Sequence, residues 1–360
     1  MQFTKQFTIL LVVLISLAGF SQQAYYTNGQ NNIDFSLTGQ NMYNALQTKV
    51  SNLINFDNYT YGDARDDFEI MELDPTNSNN VLLIYGFTNS LDCVGGINDR
   101  RIRDKDDFGG SNCEYNREHV FVRSNANPSM GSASNSTTGI AADPHNLRAS
   151  DVNRNGFRGS KKFAAGSGNS GDVGSGNWYP GDEWRGDVAR IMMYMYVRYG
   201  ERCLPDLNAI GSKEGTTEML QLLLEWNADD PVSTIENNRN NHLEGTYGSR
   251  NPFIDNPYFA KIIWGGNEEP EDTWGILSVN KVELESVVSL FPNPAKDIVT
   301  VNISNNRDTR IEIYNILGTR LFIRKINETM SIDISHLKSG VYLFKCIQDH
   351  KITTKKLMVQ

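Results

Sequence analysis

Two hydrophobic rhythms divide this chain. From about residue 25 to residue 265, apolar positions recur at helical spacing in some stretches and in strand-like runs in others. Asn32 to Leu53 carries Leu, Met and Tyr at near-helical intervals, interrupted at Gly39. Val81-Leu-Leu-Ile-Tyr reads as a strand. Gly186 to Tyr199 has no breaker before Gly200 and predicts a largely buried helix, its Met and Tyr side chains serving as core filling. A second helix is predicted at Glu218–Trp226. Ala164–Gly181 is dense in Gly, Ser and Asn without the Gly-Lys-Ser/Thr ending of a P-loop, so it predicts a long surface loop with no chemistry.

Beyond about residue 284 the pattern changes to short alternating runs at Ile298–Ile303, Ile311–Tyr314, Leu321–Ile323, Ile332–Ile334, Val341–Ile347 and Lys355–Gln360. Turn signals at Pro292-Asn-Pro, Leu317-Gly and Ser339-Gly separate them, which predicts a small antiparallel β-sandwich over 284–360. Residues 266–283, opening Gly-Asn-Glu-Glu-Pro-Glu-Asp, have the acidic, apolar-poor composition of a linker. At the other end Lys5 precedes an apolar run through Phe20 that turns polar at Ser21. It is short for a membrane span, so residues 1–22 read as a cleaved secretory signal. The main domain is then 23–265, and no stable membrane insertion is expected.

Export suits the four cysteines. Cys93 and Cys113 flank a polar loop and form a candidate disulfide; Cys203 and Cys346 are left unpaired. A zinc site using Cys113 and His119 finds no support in the spacing. The net charge is −9 over 360 residues. Local potential governs nucleic-acid affinity, and two basic clusters are candidates for bordering a groove. One is Arg100, Arg101, Arg103 and Lys105; the other is Arg148, Arg154, Arg158, Lys161 and Lys162. Cleavage of a substrate held mainly by its phosphates would weaken steeply with salt.

The densest chemistry lies in Asn116-Arg-Glu-His-Val-Phe-Val-Arg-Ser and Asp143-Pro-His-Asn-Leu-Arg-Ala-Ser-Asp-Val-Asn. Phosphodiester hydrolysis at neutral pH needs a base for water, a divalent cation and positive charge about the phosphate. The chain has five histidines, two of them, His336 and His350, in the tail. His119 follows an acid and is flanked by Arg117 and Arg123, whereas His145 reads as a residue that orients a neighbour or fills structure. On the buried helix Asp187 and Arg190 are three apart, either bracing the site or forming an intrahelical pair. Adjacent strand residues point to opposite faces, so Glu118 and His119 can serve one phosphate only if the strand ends or twists there.

With Asp151-Val-Asn, Gly186-Asp-Val-Ala-Arg and Arg250-Asn-Pro-Phe-Ile-Asp-Asn-Pro, these motifs resemble the bacterial endonuclease I family of secreted or periplasmic nucleases. The resemblance runs from about Tyr115 to Trp264. It implies an α+β fold, a His-Me finger (ββα-metal) nuclease domain followed here by the small β-sandwich. It further implies a largely sequence-non-specific endonuclease acting on DNA, with RNA as a further substrate, using one ion of Mg²⁺ (or Ca²⁺ or Mn²⁺). Carried over, His119 is the general base and Glu118 and Asn153 are the metal ligands. Arg148 and Arg123 are candidates for the phosphate arginine, and Arg117, Arg154, Arg158, Lys161 and Lys162 for nucleic-acid binding. Val122-Arg-Ser stands where the family commonly has a proline, and Asn256-Pro-Tyr replaces its usual His-Pro-Glu. The tail motifs Leu290-Phe-Pro-Asn-Pro-Ala, Ile313-Tyr-Asn-Ile-Leu-Gly and Leu337-Lys-Ser-Gly-Val-Tyr-Leu-Phe resemble a type IX secretion sorting domain. That implies passage through the periplasm of a Bacteroidetes-type bacterium to the exterior or cell surface by the type IX machinery. Two other readings are a secreted surface-binding protein with an inactive nuclease-like domain and a ribonuclease without DNA activity.

Overall fold

The computed structural model describes residues 23–360 except 29, 52–56, 93–98, 276–287, 305–306, 316–319 and 349–350, with backbone alone at 351–353. The expected signal segment, Cys93 of the expected disulfide and the expected Leu317-Gly turn therefore lie outside the described residues. The chain forms two compact units, Met1–Trp274 and Gly275–Gln360.

In the first unit, helix α1 (Gly39–Ser51) starts at the glycine that interrupts the sequence pattern. Gly39 sits at φ +56°, a turn conformation in which a Cβ is strained. Helix α2 (Tyr61–Met71) opens with a reciprocal capping box between Thr60 and Asp63 and buries Ala64, Phe68 and Met71. Strands β1 (Leu73–Asp74), β2 (Asn77–Leu82) and β3 (Ile102–Asp104) form one antiparallel sheet. The predicted Val81–Tyr85 strand thus begins earlier, and Leu83 and Ile84 instead donate to the carbonyls of Arg101 and Ala149. A separate antiparallel pair, β4 (Tyr115–His119) and β5 (Leu147–Asp151), leads directly into helix α3 (Val152–Arg158).

The segment 164–181, expected as a surface loop, is exposed over 165–169 and 172–176 but carries regular structure in its second half. Strands β6 (Lys162–Phe163), β7 (Gly171–Gly174) and β8 (Asn177–Tyr179) make a small sheet, with Trp178 and Tyr179 buried. Its turn-rich composition reflects tight hairpin geometry, and two aromatic rings supply the anchor. Helix α4 (Arg185–Tyr199) is buried along nearly its whole length, as its unbroken apolar run requires, and packs against α5 (Gln221–Asp229). Helix α6 (Thr234–Thr246) begins with a second capping box, Ser233 with Glu236.

The named strands of the second unit pair antiparallel. Strands β9 (Val288–Phe291), β10 (Ile298–Ile303) and β13 (Met330–Asp333) form a three-stranded sheet in the order β13-β10-β9. Strands β11 (Thr309–Tyr314), β12 (Arg320–Ile326), β14 (Gly340–Gln348) and β15 (Lys351–Val359) form a four-stranded one, in the order β12-β11-β14-β15. Inward residues of both sheets, among them Val299, Val301, Ile311, Ile313 and Phe344, join in one core. The alternation read from the sequence is this division into inner and outer faces.

Candidate active site

The β4–β5 pair and α3 build the site. Glu118 lies opposite Arg148 and His119 opposite Leu147 in the ladder. Because β4 ends at His119, the alternation of faces stops there, and Glu118 and His119 open onto one cavity of about 350 Å³. Tyr61, Arg117, Arg123 and Asn155 also line it.

His119 is 8% exposed, and its Nε2 lies 2.8 Å from the carbonyl oxygen of Ala141. A carbonyl only accepts, so Nε2 carries the proton and Nδ1 is left as the basic nitrogen. Burial holds the imidazole pKa down to about 3; Arg123, Arg117 and Arg158 push the same way, and the Ala141 hydrogen bond opposes them. The ring is therefore neutral near pH 7. Tyr61 stacks on it, with centroids 5.4 Å apart and an interplanar angle of 18°.

Glu118, 3% exposed, accepts two hydrogen bonds at Oε1, from Tyr85 Oη at 3.0 Å and from Arg158 Nη1 at 2.9 Å. Burial raises its pKa and the Arg158 guanidinium opposes that rise. Arg158 also donates to the carbonyls of His119 (3.0 Å) and Val120 (2.7 Å), tying the end of β4 to α3.

The second expected metal ligand, Asn153, lies off the cavity, and the phase of the helix is the reason. Asp151 caps α3 by accepting from the amides of Asn153 (2.9 Å) and Arg154 (3.1 Å), while Arg100 holds its other oxygen at 3.0 Å. Residues two apart on a helix are separated by about 200°, whereas those three or four apart share a face. Asn155, Arg158 and Gly159 accordingly line the cavity, and Asn153 does not. Asn155 Nδ2 donates to Asn116 Oδ1 at 2.7 Å and to the Arg117 carbonyl at 3.4 Å. Those acceptors fix the amide's orientation and leave Oδ1 as its acceptor atom.

Several predicted basic residues serve the fold. Arg148 is 1% exposed and bonded to Glu72 and Asp187. Burial works against its charge, but the two carboxylates outweigh it and hold the guanidinium above its ordinary pKa. It does not line the cavity, whereas Arg123 does, and Arg123 donates to the Gly131 carbonyl at 2.6 Å. Arg154 is buried against Trp178 and Phe87 and bonded to Ser170. Arg158 is the clamp just described. Arg117 remains at the cavity, stacked on Tyr61 with its Cζ 3.6 Å from the ring centroid. Lys161 and Lys162 are half-buried, Lys161 bonded to the Phe157 carbonyl and Lys162 to that of Asp206 at 2.7 Å. Of the other basic cluster, Arg100 and Arg103 are buried, so it is no continuous charged edge.

Asp187 and Arg190 do not pair with each other: Asp187 holds Arg148 and Arg190 holds Glu236. His145 is buried, its Nε2 3.1 Å from the Ser249 carbonyl and its ring against Tyr194. Burial keeps its pKa well below the ordinary value, consistent with a structural histidine. Cys203 and Cys346 are free and buried.

The cavity's donor set fits a hard divalent cation. Among the described residues no group of three or more His, Cys, Asp or Glu side chains is placed to hold a metal. What the cavity offers is one carboxylate and one amide oxygen, the ligand chemistry of Mg²⁺ or Ca²⁺ with waters completing the shell. Arg158 shares Glu118 and so weakens its pull on any cation.

The fold and site define an α+β protein whose buried imidazole, carboxylate and cavity arginines sit on a strand–strand–helix element. The chain belongs to the Endonuclease I family, which residues 38–258 match; residues 289–360 match the secretion system C-terminal sorting domain. It is 39% identical over 204 residues to an extracellular ribonuclease of Bacillus amyloliquefaciens, covering 53% of this chain and 63% of that protein. A Bacillus subtilis extracellular ribonuclease is 38% identical over 204 residues, covering 53% and 64%. The chain thus spans a little under two thirds of these relatives' length. The ulvan lyase NLR42 of Nonlabens ulvanivorans is 27% identical over 138 residues, covering 36% of this chain and 26% of the lyase.

Proposed function

We propose that the chain is an exported His-Me finger (ββα-metal) endonuclease that hydrolyses phosphodiester bonds in RNA and DNA with little regard for sequence. The observation that carries this reading is the 2.8 Å contact of His119 Nε2 with the Ala141 carbonyl oxygen, in a cavity shared with Glu118 and Asn155. Water attacks phosphorus as its proton passes to His119 Nδ1, and the bond to the 3′ oxygen breaks, that oxygen taking a proton from solvent. Glu118 and Asn155 Oδ1 are the oxygens that would hold the divalent cation. When bound, such an ion stabilises negative charge on the phosphate and the departing oxygen. Arg123 and Arg117 supply the positive charge at the phosphate, in place of Arg148. These side chains suit phosphates better than base edges, which favours sequence tolerance.

The names of the two Bacillus relatives support RNA as a substrate, and a ribonuclease without DNA activity is the second reading. The base, carboxylate and amide together argue against an inactive binding domain. The tail's match to a sorting domain supports export through the type IX machinery of a Bacteroidetes-type bacterium. Among the described residues no helix is long and apolar enough to cross a membrane.

The test is digestion of plasmid DNA and single-stranded RNA in Mg²⁺ by wild type and His119→Ala. Loss of a general base is expected to slow both by about 10²–10⁴-fold. A wild-type protein inert towards both substrates across divalent metals, or a variant as fast as wild type, would refute the assignment.

A further inference from the structure

One hydrogen bond does not fix an imidazole plane. The contact from His119 Nε2 to Ala141 leaves the ring free to rock about that bond, and a rocking ring would not keep Nδ1 aimed at a water. The second constraint comes from Tyr61, the first residue of α2, whose ring lies nearly parallel to the imidazole. Tyr61 is itself held from several directions. Its amide donates to the Thr137 carbonyl at 2.7 Å, and the next amide, of Gly62, donates to the Asn135 carbonyl at 2.9 Å. Its own carbonyl accepts from Arg117, whose guanidinium also stacks on the ring. Segment 135–141 therefore anchors both supports of the base: Asn135 and Thr137 hold the start of α2, and Ala141 holds the imidazole. A Cβ on Gly62 would come within 2.9 Å of the Asn135 carbonyl oxygen, so this close seating requires glycine.

We propose that Tyr61 is a positioning residue for the reaction: its ring face, and not its hydroxyl, fixes the plane of His119 so that Nδ1 is presented to the cavity. The proposal rests on the general-base reading of His119. It separates the two parts of the tyrosine, because Tyr61→Phe keeps the face and Tyr61→Leu removes it.

The experiment is steady-state cleavage of plasmid and RNA at saturating Mg²⁺ by Tyr61→Phe, Tyr61→Leu, Gly62→Ala and His119→Ala, with thermal unfolding of each. Tyr61→Phe is expected to stay within about two-fold of wild-type kcat. Tyr61→Leu is expected to lose about 10–100-fold in kcat with KM little changed, as misaiming of a base predicts. Gly62→Ala, which touches neither base nor cavity, is expected to lower kcat in the same direction. Proton NMR gives a readout that does not depend on Tyr61→Leu folding. The His119 ring protons should be shifted upfield by the aromatic face in wild type and in Tyr61→Phe. Wild-type kcat in Tyr61→Leu, an equal loss in Tyr61→Phe, a loss confined to KM, or unshifted ring protons would overturn the proposal. If His119→Ala is inactive while Tyr61→Leu is fully active, only the positioning role fails. If His119→Ala is as fast as wild type, the general-base reading fails and takes this one with it.

Discussion

Replacing Asn155 and Asn153 separately tests the helix-phase argument most directly. Asn155→Ala removes one of two oxygens proposed to hold the cation and also the Nδ2 bonds to Asn116 and the Arg117 carbonyl. Such hydrogen bonds contribute about 1 kcal/mol each, so the fold should lose roughly 1–2 kcal/mol and remain intact. The metal effect should be larger in proportion. Removing a group that merely supports a ligand typically costs about 10–100-fold in metal affinity, so losing the ligand should raise half-saturating Mg²⁺ at least that much. Asn153→Ala removes a half-buried side chain that does not line the cavity, with an expected stability change within about 0.5 kcal/mol. Its Mg²⁺ dependence should match wild type. The assay is plasmid nicking across a Mg²⁺ titration, paired with calorimetric titration of Ca²⁺ to read binding without turnover. If Asn153→Ala shifts the metal curve and Asn155→Ala does not, the reasoning from helix phase is wrong.

Stability should fall in acid because two histidines are buried neutral. Burial lowers the folded pKa of His119 to about 3 and that of His145 well below its ordinary value. The unfolded chain, titrating near 6.5, then binds protons that the fold refuses. Stability is thus complete above about pH 6.5 and declines below it, by up to about 1.4 kcal/mol per pH unit for each histidine. Denaturant midpoints that stay flat from pH 6.5 to 4 would refute this. Arg123→Ala should weaken substrate binding uniformly across sequences and reduce the slope of log affinity against log salt by about 1. An unchanged slope would show that Arg123 makes no phosphate contact.

Much of the fold was legible in the chain. The tail strands followed the period-2 alternation, and α4 followed an unbroken apolar run, because both signals are local consequences of burying one face or a whole element. The sheet at 162–179 was not legible, since glycine-rich hairpins and surface loops share a composition and only the packing of Trp178 and Tyr179 tells them apart.

At the site, residue order shows which chemical groups are close along the chain: an imidazole beside a carboxylate, and asparagines a short way downstream. Which of them meet depends on how the chain packs in three dimensions. Asn155 faces the cavity because the Asp151 cap sets the phase of α3, and a two-residue difference in a helix is a little over half a turn. Arg148 is committed to Glu72, 76 residues away, and Arg239 reaches the same carboxylate from 167 residues away. An arginine awaiting a phosphate and one neutralised by a distant carboxylate are the same letter in sequence. The difference lies in long-range partners, which no local pattern encodes.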